Sequence, residues 1–230
     1  MKAMILAAGV GERMRPLTDH TPKPLLRVAD IPLIEHHILH LAQAGFDELV
    51  INVSHLGQQI IDYCGDGSHW GVVITYSTEE EPLETAGGIQ RALPLLGEGA
   101  FLLVNGDVWI DYPFESLLSY ALQPGELAHL VMVDNPPQHP QGDFLLDGEG
   151  WVRFLPAAVT GLTYAGVGVY SPAFFAAVPP GKLPLRPLLD SAIEQSILGA
   201  EYFDGQWADV GTPERLQSLD LQVRSAGGTG

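Results

Sequence analysis

Apolar residues fall into two kinds of segment, compact runs of about five residues and longer stretches in which they recur every three or four positions. Compact runs are typical of buried strands, and the longer spacing is typical of amphipathic helices. Strands are predicted at residues 3–7, 48–53, 72–77 and 101–105, and helices at residues 33–44, 55–63 and 85–96. Strand and helix therefore alternate, which predicts an α/β fold with a mostly parallel sheet and helices on both faces.

The second half of the chain is less regular. Strands are predicted at residues 128–133 and 164–170 and a helix at residues 185–198, and Thr212-Pro213-Glu214 supplies the cap, proline and acid that open a last helix. No internal repeat or linker divides the chain. We therefore expect one domain over residues 1–224 and a flexible tail over residues 225–230.

Composition excludes several classes of partner. The chain has 230 residues, 46% of them hydrophobic, which is enough for a sizeable core. Its formal net charge of −17 would repel nucleic acid and anionic membrane surfaces. Residues 154–181 carry no charge, but prolines and glycines interrupt them, so a buried strand flanked by turns is expected rather than a membrane span. We read no signal peptide, and the single cysteine, Cys64, fits a reducing compartment such as the cytoplasm.

Positive charge is concentrated near the N-terminus. Five of the eleven basic residues lie in the first 27 positions, namely Lys2, Arg13, Arg15, Lys23 and Arg27. Gly9 and Gly11 follow the first predicted strand, where backbone amides can donate to phosphate oxygens. The segment is neither a dinucleotide motif, because Met14 replaces the third glycine, nor a Walker A loop. From the residues alone, a polyphosphate site and an ordinary glycine-rich turn both remain open.

Two aspartates are candidates for a metal site. Asp107 follows the predicted strand 101–105 and Asp209 directly precedes the last predicted helix, so both are expected at the edge of the sheet where open α/β folds bind ligands. Two carboxylates together with substrate phosphates suit Mg²⁺, although each aspartate alone is also a common turn residue. The histidines of the first helix, His36, His37 and His40, lack an evident third ligand and are expected on a solvated face.

The run LAAGVGERMRPLT, followed by PKPL, resembles the signature of the sugar-1-phosphate nucleotidylyltransferases. LETAGG at residues 83–88, LVNGD at 103–107 and WADVGTP at 207–213 recur in the family's order, so the resemblance covers nearly the whole chain. It implies a Rossmann-like nucleotidyltransferase core with a mixed sheet. Among the branches, the chain most resembles the bacterial N-acetylmuramate α-1-phosphate uridylyltransferases of cell-wall recycling.

The resemblance implies transfer of UMP from UTP to the sugar 1-phosphate, with release of pyrophosphate and Mg²⁺ held by Asp107 and Asp209. It implies catalytic roles for Arg13, Lys23 and Asp107, with Arg13 on the leaving phosphates and Lys23 on the α-phosphate or the attacking phosphate. The nucleotide-binding residues implied are Ala8, Gly9, Gly11, Glu12, Arg13, Lys23, Leu83 and Gly88. The sugar-binding residues implied are Asn105, Gly106, Gly142 and Lys182.

One departure from the family pattern leaves alternatives open. Many members carry Glu-Lys-Pro where this chain has Arg153-Phe154-Leu155-Pro156, so another residue must hold the sugar phosphate. Lys182 and Arg186 are the candidates, and for each an ordinary surface role stays equally open. Other acceptors, such as mannose 1-phosphate, glucose 1-phosphate or phosphocholine, remain possible, as does a catalytically silent nucleotide-sugar-binding regulator. The short C-terminus predicts a monomer or a weak homo-oligomer.

Overall fold

The structure is a computed structural model that describes residues 1–227. Its strands are β1 (Lys2–Leu6), β2 (Arg27–Val28), β3 (Ile31–Pro32), β4 (Glu48–Val53), β5 (Val73–Thr78), β6 (Phe101–Asn105), β7 (Val108–Ile110), β8 (Ala128–Val133), β9 (Phe144–Leu146), β10 (Val152–Phe154), β11 (Thr163–Tyr170), β12 (Leu198–Tyr202) and β13 (Trp207–Asp209). Its helices are α1 (Leu33–Gln43), α2 (Gly57–Cys64), α3 (Glu84–Leu96), α4 (Glu115–Leu118), α5 (Arg186–Glu194) and α6 (Pro213–Gly227).

Seven strands form one sheet in the order β12-β8-β11-β6-β1-β4-β5. Only β11 runs antiparallel to its neighbours, and every other pair in this sheet is parallel. The predicted α/β fold with a mixed, mostly parallel sheet is therefore confirmed. Leu6 pairs with Asn52 on one side and with Asn105 on the other, so β1, β4 and β6 end together at one edge.

Alternation along the strands gives the sheet two apolar faces. In β1, Ala3 and Ile5 join the core that includes Ile38 of α1, whereas Met4 joins the core that includes Ile89 of α3. Both faces are thus covered by helices, as residues alternating across a strand require. Among residues 1–227, no helix is both long and apolar enough to cross a bilayer.

Some element boundaries differ from the predictions. The helix predicted at residues 185–198 ends at Glu194, because Ser196 has a left-handed backbone (φ +54°) and Leu198 opens β12 beside β8. The two-stranded ribbons β2–β3, β7–β13 and β9–β10 were not predicted, since strands of two or three residues carry little periodicity. Helix α6 continues to Gly227, past the predicted start of the tail, and residues 228–230 lie outside the described residues.

The expectation that the α1 histidines form a solvated face was wrong. His36 and His37 are buried, and each Nε2 lies at hydrogen-bond distance from a backbone carbonyl, Val28 O at 3.0 Å and Val108 O at 2.9 Å. Both carbonyls belong to the short strands β2 and β7, which the periodicity did not reveal. The imidazoles therefore serve as packing groups that satisfy backbone acceptors.

Burial gives His37 a pH-dependent contribution to stability, because it lowers the pKa of this imidazole to about 4. The unfolded chain takes up the proton near its usual pKa of about 6.5, so stability is fully present above that pH and falls as the pH drops toward 4. Between pH 7.5 and 5 we expect the free energy of unfolding to fall about 2 kcal/mol further in the wild type than in His37→Gln. Urea unfolding at the two pH values measures this. The exposed-site variant His69→Asn should keep the wild-type loss, and equal losses in all three proteins would contradict the prediction.

Candidate active site

A cavity of about 670 Å³ opens at the edge where β1, β4 and β6 end. The loop after β1 forms one of its walls. Gly11 in this loop has a left-handed backbone (φ +70°), which glycine adopts without steric cost. Its carbonyl accepts from Met14 N at 2.9 Å and from Thr18 Oγ1 at 2.8 Å, and these bonds close the loop. The predicted nucleotide-binding residues of the loop all line the cavity, namely Ala8, Gly9, Gly11, Glu12 and Arg13.

Lys23 delivers a positive charge to the same cavity. Its side chain is only 9% exposed, and Nζ donates to Asp107 Oδ2 at 2.7 Å. Asp107 follows the end of β6 and is 43% exposed, so this carboxylate faces the cavity while its partner is enclosed. The sequence did not predict this ion pair, which places the charge of Lys23 next to the candidate metal ligand Asp107.

Asp209 lies beside Asp107 through the ribbon β7–β13. Asp209 pairs with Val108 in this ribbon, and Val210 N donates to Asp107 O at 2.9 Å. Arg215, on the first turn of α6, donates to Asp209 Oδ2. Both aspartates line a second, smaller cavity of about 240 Å³, and Asp107 lines the larger one as well. The two aspartates are thus neighbours across the ribbon, both on the wall of the smaller cavity.

These two carboxylates fit a magnesium ion whose remaining coordination positions are filled by substrate phosphates and water. Each aspartate has one oxygen bound to a cationic side chain, and its other oxygen has no hydrogen-bond partner within the described part of the chain. Among residues 1–227, no group of three or more acidic, histidine or cysteine side chains is placed to hold a metal alone. Mg²⁺ commonly takes one or two protein carboxylates, with phosphates and waters filling its other positions. The donor set therefore suits Mg²⁺ bound together with a nucleotide.

The segment at residues 83–88 forms part of the wall of the larger cavity. Leu83 N donates to Glu79 Oε2 at 2.9 Å, and Leu83 O accepts from Leu183 N at 2.9 Å, so both of its backbone groups are engaged. Leu83 and Gly88 do not line the larger cavity, whereas their neighbours Glu84 and Thr85 do. The base-reading role of Leu83 and Gly88 stays a prediction.

Asn52 and Glu79 were missed by the sequence analysis. Asn52 Oδ1 accepts from Ala7 N at 2.8 Å, and its Nδ2 donates to Glu79 Oε1 at 2.7 Å. A Cβ on Gly88 would lie 2.7 Å from Glu79 Oε1, so glycine makes room for this network. Both side chains are buried and both line the larger cavity. Their positions along the chain could have indicated them, because Asn52 is the second-to-last residue of β4 and Glu79 directly follows β5.

The predicted sugar-binding residues are not gathered at one place. Asn105 lines both cavities, and Gly106 lines the larger one. Lys182 also lines the larger cavity, with a side chain that is 67% exposed. Its Nζ lies 3.6 Å from Glu84 Oε1, so it is next to the segment of residues 83–88. Gly142 lines neither cavity. The assignment of Lys182 to the sugar phosphate stays a prediction. Arg186, the other candidate for the sugar phosphate, forms an ion pair within its own helix, with Nε 2.7 Å from Asp190 Oδ1.

Comparison with known proteins places this geometry in a family. The profile described as nucleotidyl transferase matches residues 2–225. An N-acetylmuramate alpha-1-phosphate uridylyltransferase from Neisseria meningitidis is 52% identical over 221 residues, covering 94% of this chain and 96% of the relative. A protein of the same name from Caulobacter vibrioides is 32% identical, covering 97% of each chain.

A solved structure shares the fold. It is a putative glucose-1-phosphate thymidylyltransferase from Bacillus anthracis, in complex with a sucrose, with a TM-score of 0.86 at 21% identity over 97% of this chain and 95% of that one. The family profile spans the segments that carry both cavities and the paired aspartates. The chain therefore belongs to the nucleotidyl transferase family and is a nucleotidyltransferase enzyme.

Proposed function

We propose that the chain transfers UMP from UTP to N-acetylmuramate α-1-phosphate, giving UDP-N-acetylmuramate and pyrophosphate. The observation that carries the reaction type is the position of Asp107, on the wall shared by the two cavities, with Lys23 and Asp209 beside it. The acceptor is supported by the relative that is 52% identical across nearly both whole chains. The mannose-1-phosphate relatives from zebrafish and Aspergillus oryzae are 30% and 32% identical, and this chain covers only 62% and 63% of them.

In this proposal the triphosphate occupies the larger cavity and the sugar the smaller one. The phosphate oxygen of the sugar 1-phosphate attacks the α-phosphorus of UTP in line, forming one P–O bond as the bond to pyrophosphate breaks. The attacking oxygen is already an anion, so no general base is required, and catalysis rests on positioning and charge neutralisation. Arg13 faces the leaving phosphates, and Lys23 neutralises the phosphate at which the bond forms.

Asp107 and Asp209 would hold Mg²⁺, which neutralises phosphate charge and orients the two reactants when it is bound. Arg215 would keep Asp209 oriented, because a group bound to a metal-binding side chain fixes its direction. The proposal includes a cytoplasmic location, which the single cysteine suits because it needs no oxidising compartment, and there the reaction would serve the recycling of cell-wall sugars.

The test is pyrophosphate release with UTP, Mg²⁺ and a panel of sugar 1-phosphates. N-acetylmuramate α-1-phosphate should be used with a kcat/KM at least about tenfold above those for N-acetylglucosamine, glucose and mannose 1-phosphates, because one well-placed interaction is worth that factor. Removal of Mg²⁺ with a chelator should abolish release. Preference for another sugar would contradict the acceptor, and silence with every acceptor and nucleotide would favour the regulatory alternative.

A further inference from the structure

The smaller cavity offers few hydrogen-bond donors to a ligand, because most of those on its wall are already used within the protein. Trp207 Nε1 donates to Ala165 O at 2.9 Å, and Thr163 Oγ1 donates to Asn135 Oδ1 at 2.8 Å. The Tyr164 hydroxyl hydrogen-bonds to another tyrosine hydroxyl at 3.0 Å. These groups shape the cavity but have little left to donate to a sugar.

Among the described residues, the amide side chains of Asn105 and Gln138 on this wall have no hydrogen-bond partner, and His139 has one ring nitrogen, Nδ1, without one. Of the residues that line this cavity, all of them within the described chain, His139 alone can carry a positive charge. The other ionisable groups there are the carboxylates of Asp107 and Asp209. Away from the two aspartates that would hold Mg²⁺, an anionic group on a ligand therefore finds its one cationic side chain on this wall at His139.

His139 is held in a defined orientation. Its Nε2 lies 3.1 Å from Asp143 Oδ1, and the other oxygen of Asp143 accepts from Tyr164 N at 2.9 Å, which anchors this carboxylate to β11. The imidazole is 45% exposed, so its second nitrogen remains free for a ligand. A ligand carboxylate at the second nitrogen would pair with the imidazolium form of the ring, in which both nitrogens donate.

N-acetylmuramate differs from N-acetylglucosamine by a lactyl ether that ends in a carboxylate. We propose that His139, oriented by Asp143 and flanked by Gln138, binds this lactyl carboxylate and thereby selects the acidic amino sugar. The proposal rests on the proposed function and assigns a specificity residue within it. A charge-assisted hydrogen bond suits this task, since neutral sugars offer no anion to pair with the ring.

The experiment compares His139→Ala and His139→Gln with the wild type, using N-acetylmuramate and N-acetylglucosamine α-1-phosphates as acceptors. In His139→Ala, kcat/KM for the muramate should fall about tenfold to a hundredfold, mainly through KM, because a hydrogen bond to a charged group is lost. For the glucosamine it should stay within about twofold. His139→Gln should recover part of the loss, and His69→Ala, at an exposed site, should change neither acceptor.

A third acceptor, in which an amide replaces the lactyl carboxylate, separates recognition from folding. The wild type should use it as poorly as His139→Ala uses the natural acid, and this test needs no variant to fold. Equal losses with all acceptors, or none with the muramate, would overturn the role of His139. A wild type that prefers a sugar without the carboxylate would instead overturn the proposed function, so the two failures are distinguishable.

Discussion

Replacement of Asp107 by asparagine is expected to lower kcat for pyrophosphate release by about a thousandfold, because it removes one of two charges that would hold Mg²⁺ at the reacting phosphates. The substitution keeps the size of the side chain and an oxygen that can accept from Lys23 Nζ. The fold should therefore survive, and the loss should appear in the chemical step. Steady-state kinetics at saturating UTP, with thermal unfolding of the same sample, measure both.

Asp111→Asn is the matched control. Asp111 directly follows β7, as Asp107 directly precedes it, but its carboxylate accepts from Gln206 N at 2.7 Å and lines neither cavity. Its variant should keep kcat within about twofold. Binding of Mn²⁺ in the presence of UTP gives a readout independent of turnover, and it should weaken in Asp107→Asn alone. Turnover like that of the wild type in Asp107→Asn would remove Asp107 from the metal site.

The sequence predicted those elements of the fold that are long enough to show a repeat of apolar residues. Buried strands such as β1, β4 and β6 and the helices between them are long enough to show a repeat, and the order of elements then favours a parallel sheet. The ribbon β7–β13 was not predicted because it joins segments about a hundred residues apart in the chain through only three residue pairs. Tertiary pairing, not local pattern, produces such elements.

The residues of the candidate site also fall into a group that local sequence patterns indicated and a group that they did not. Asp107, Asp209 and the glycine loop became candidates because they follow predicted strands or precede a helix, and the family resemblance decided between a binding site and ordinary turns. Arg215 and His139 were missed, since nothing in their neighbouring residues shows that Arg215 binds Asp209 or that His139 lines a cavity. Their positions depend on contacts with Asp209 and Asp143 that only the folded chain makes.

Replacement of Lys23 by glutamine is expected to lower kcat/KM for UTP by about a hundredfold to a thousandfold. Lys23 is enclosed, and its ammonium group lies 2.7 Å from Asp107, so its charge acts at short range with little solvent screening. Glutamine retains a donor but no charge, which leaves the developing phosphate charge and Asp107 without their cation. Initial rates over a range of UTP concentrations, at saturating sugar phosphate, measure the effect.

Arg15→Gln removes the same charge from the same loop and provides the comparison. Arg15 is 62% exposed, pairs with Asp19 at 3.4 Å and lines neither cavity. If catalysis used only the general positive field of the N-terminal segment, the two variants would lose similar activity, and that loss would shrink as salt is added. If the enclosed ammonium of Lys23 acts directly on the phosphates, its variant should lose far more, with little dependence on salt. Comparable losses in the two variants would therefore contradict a direct role for Lys23.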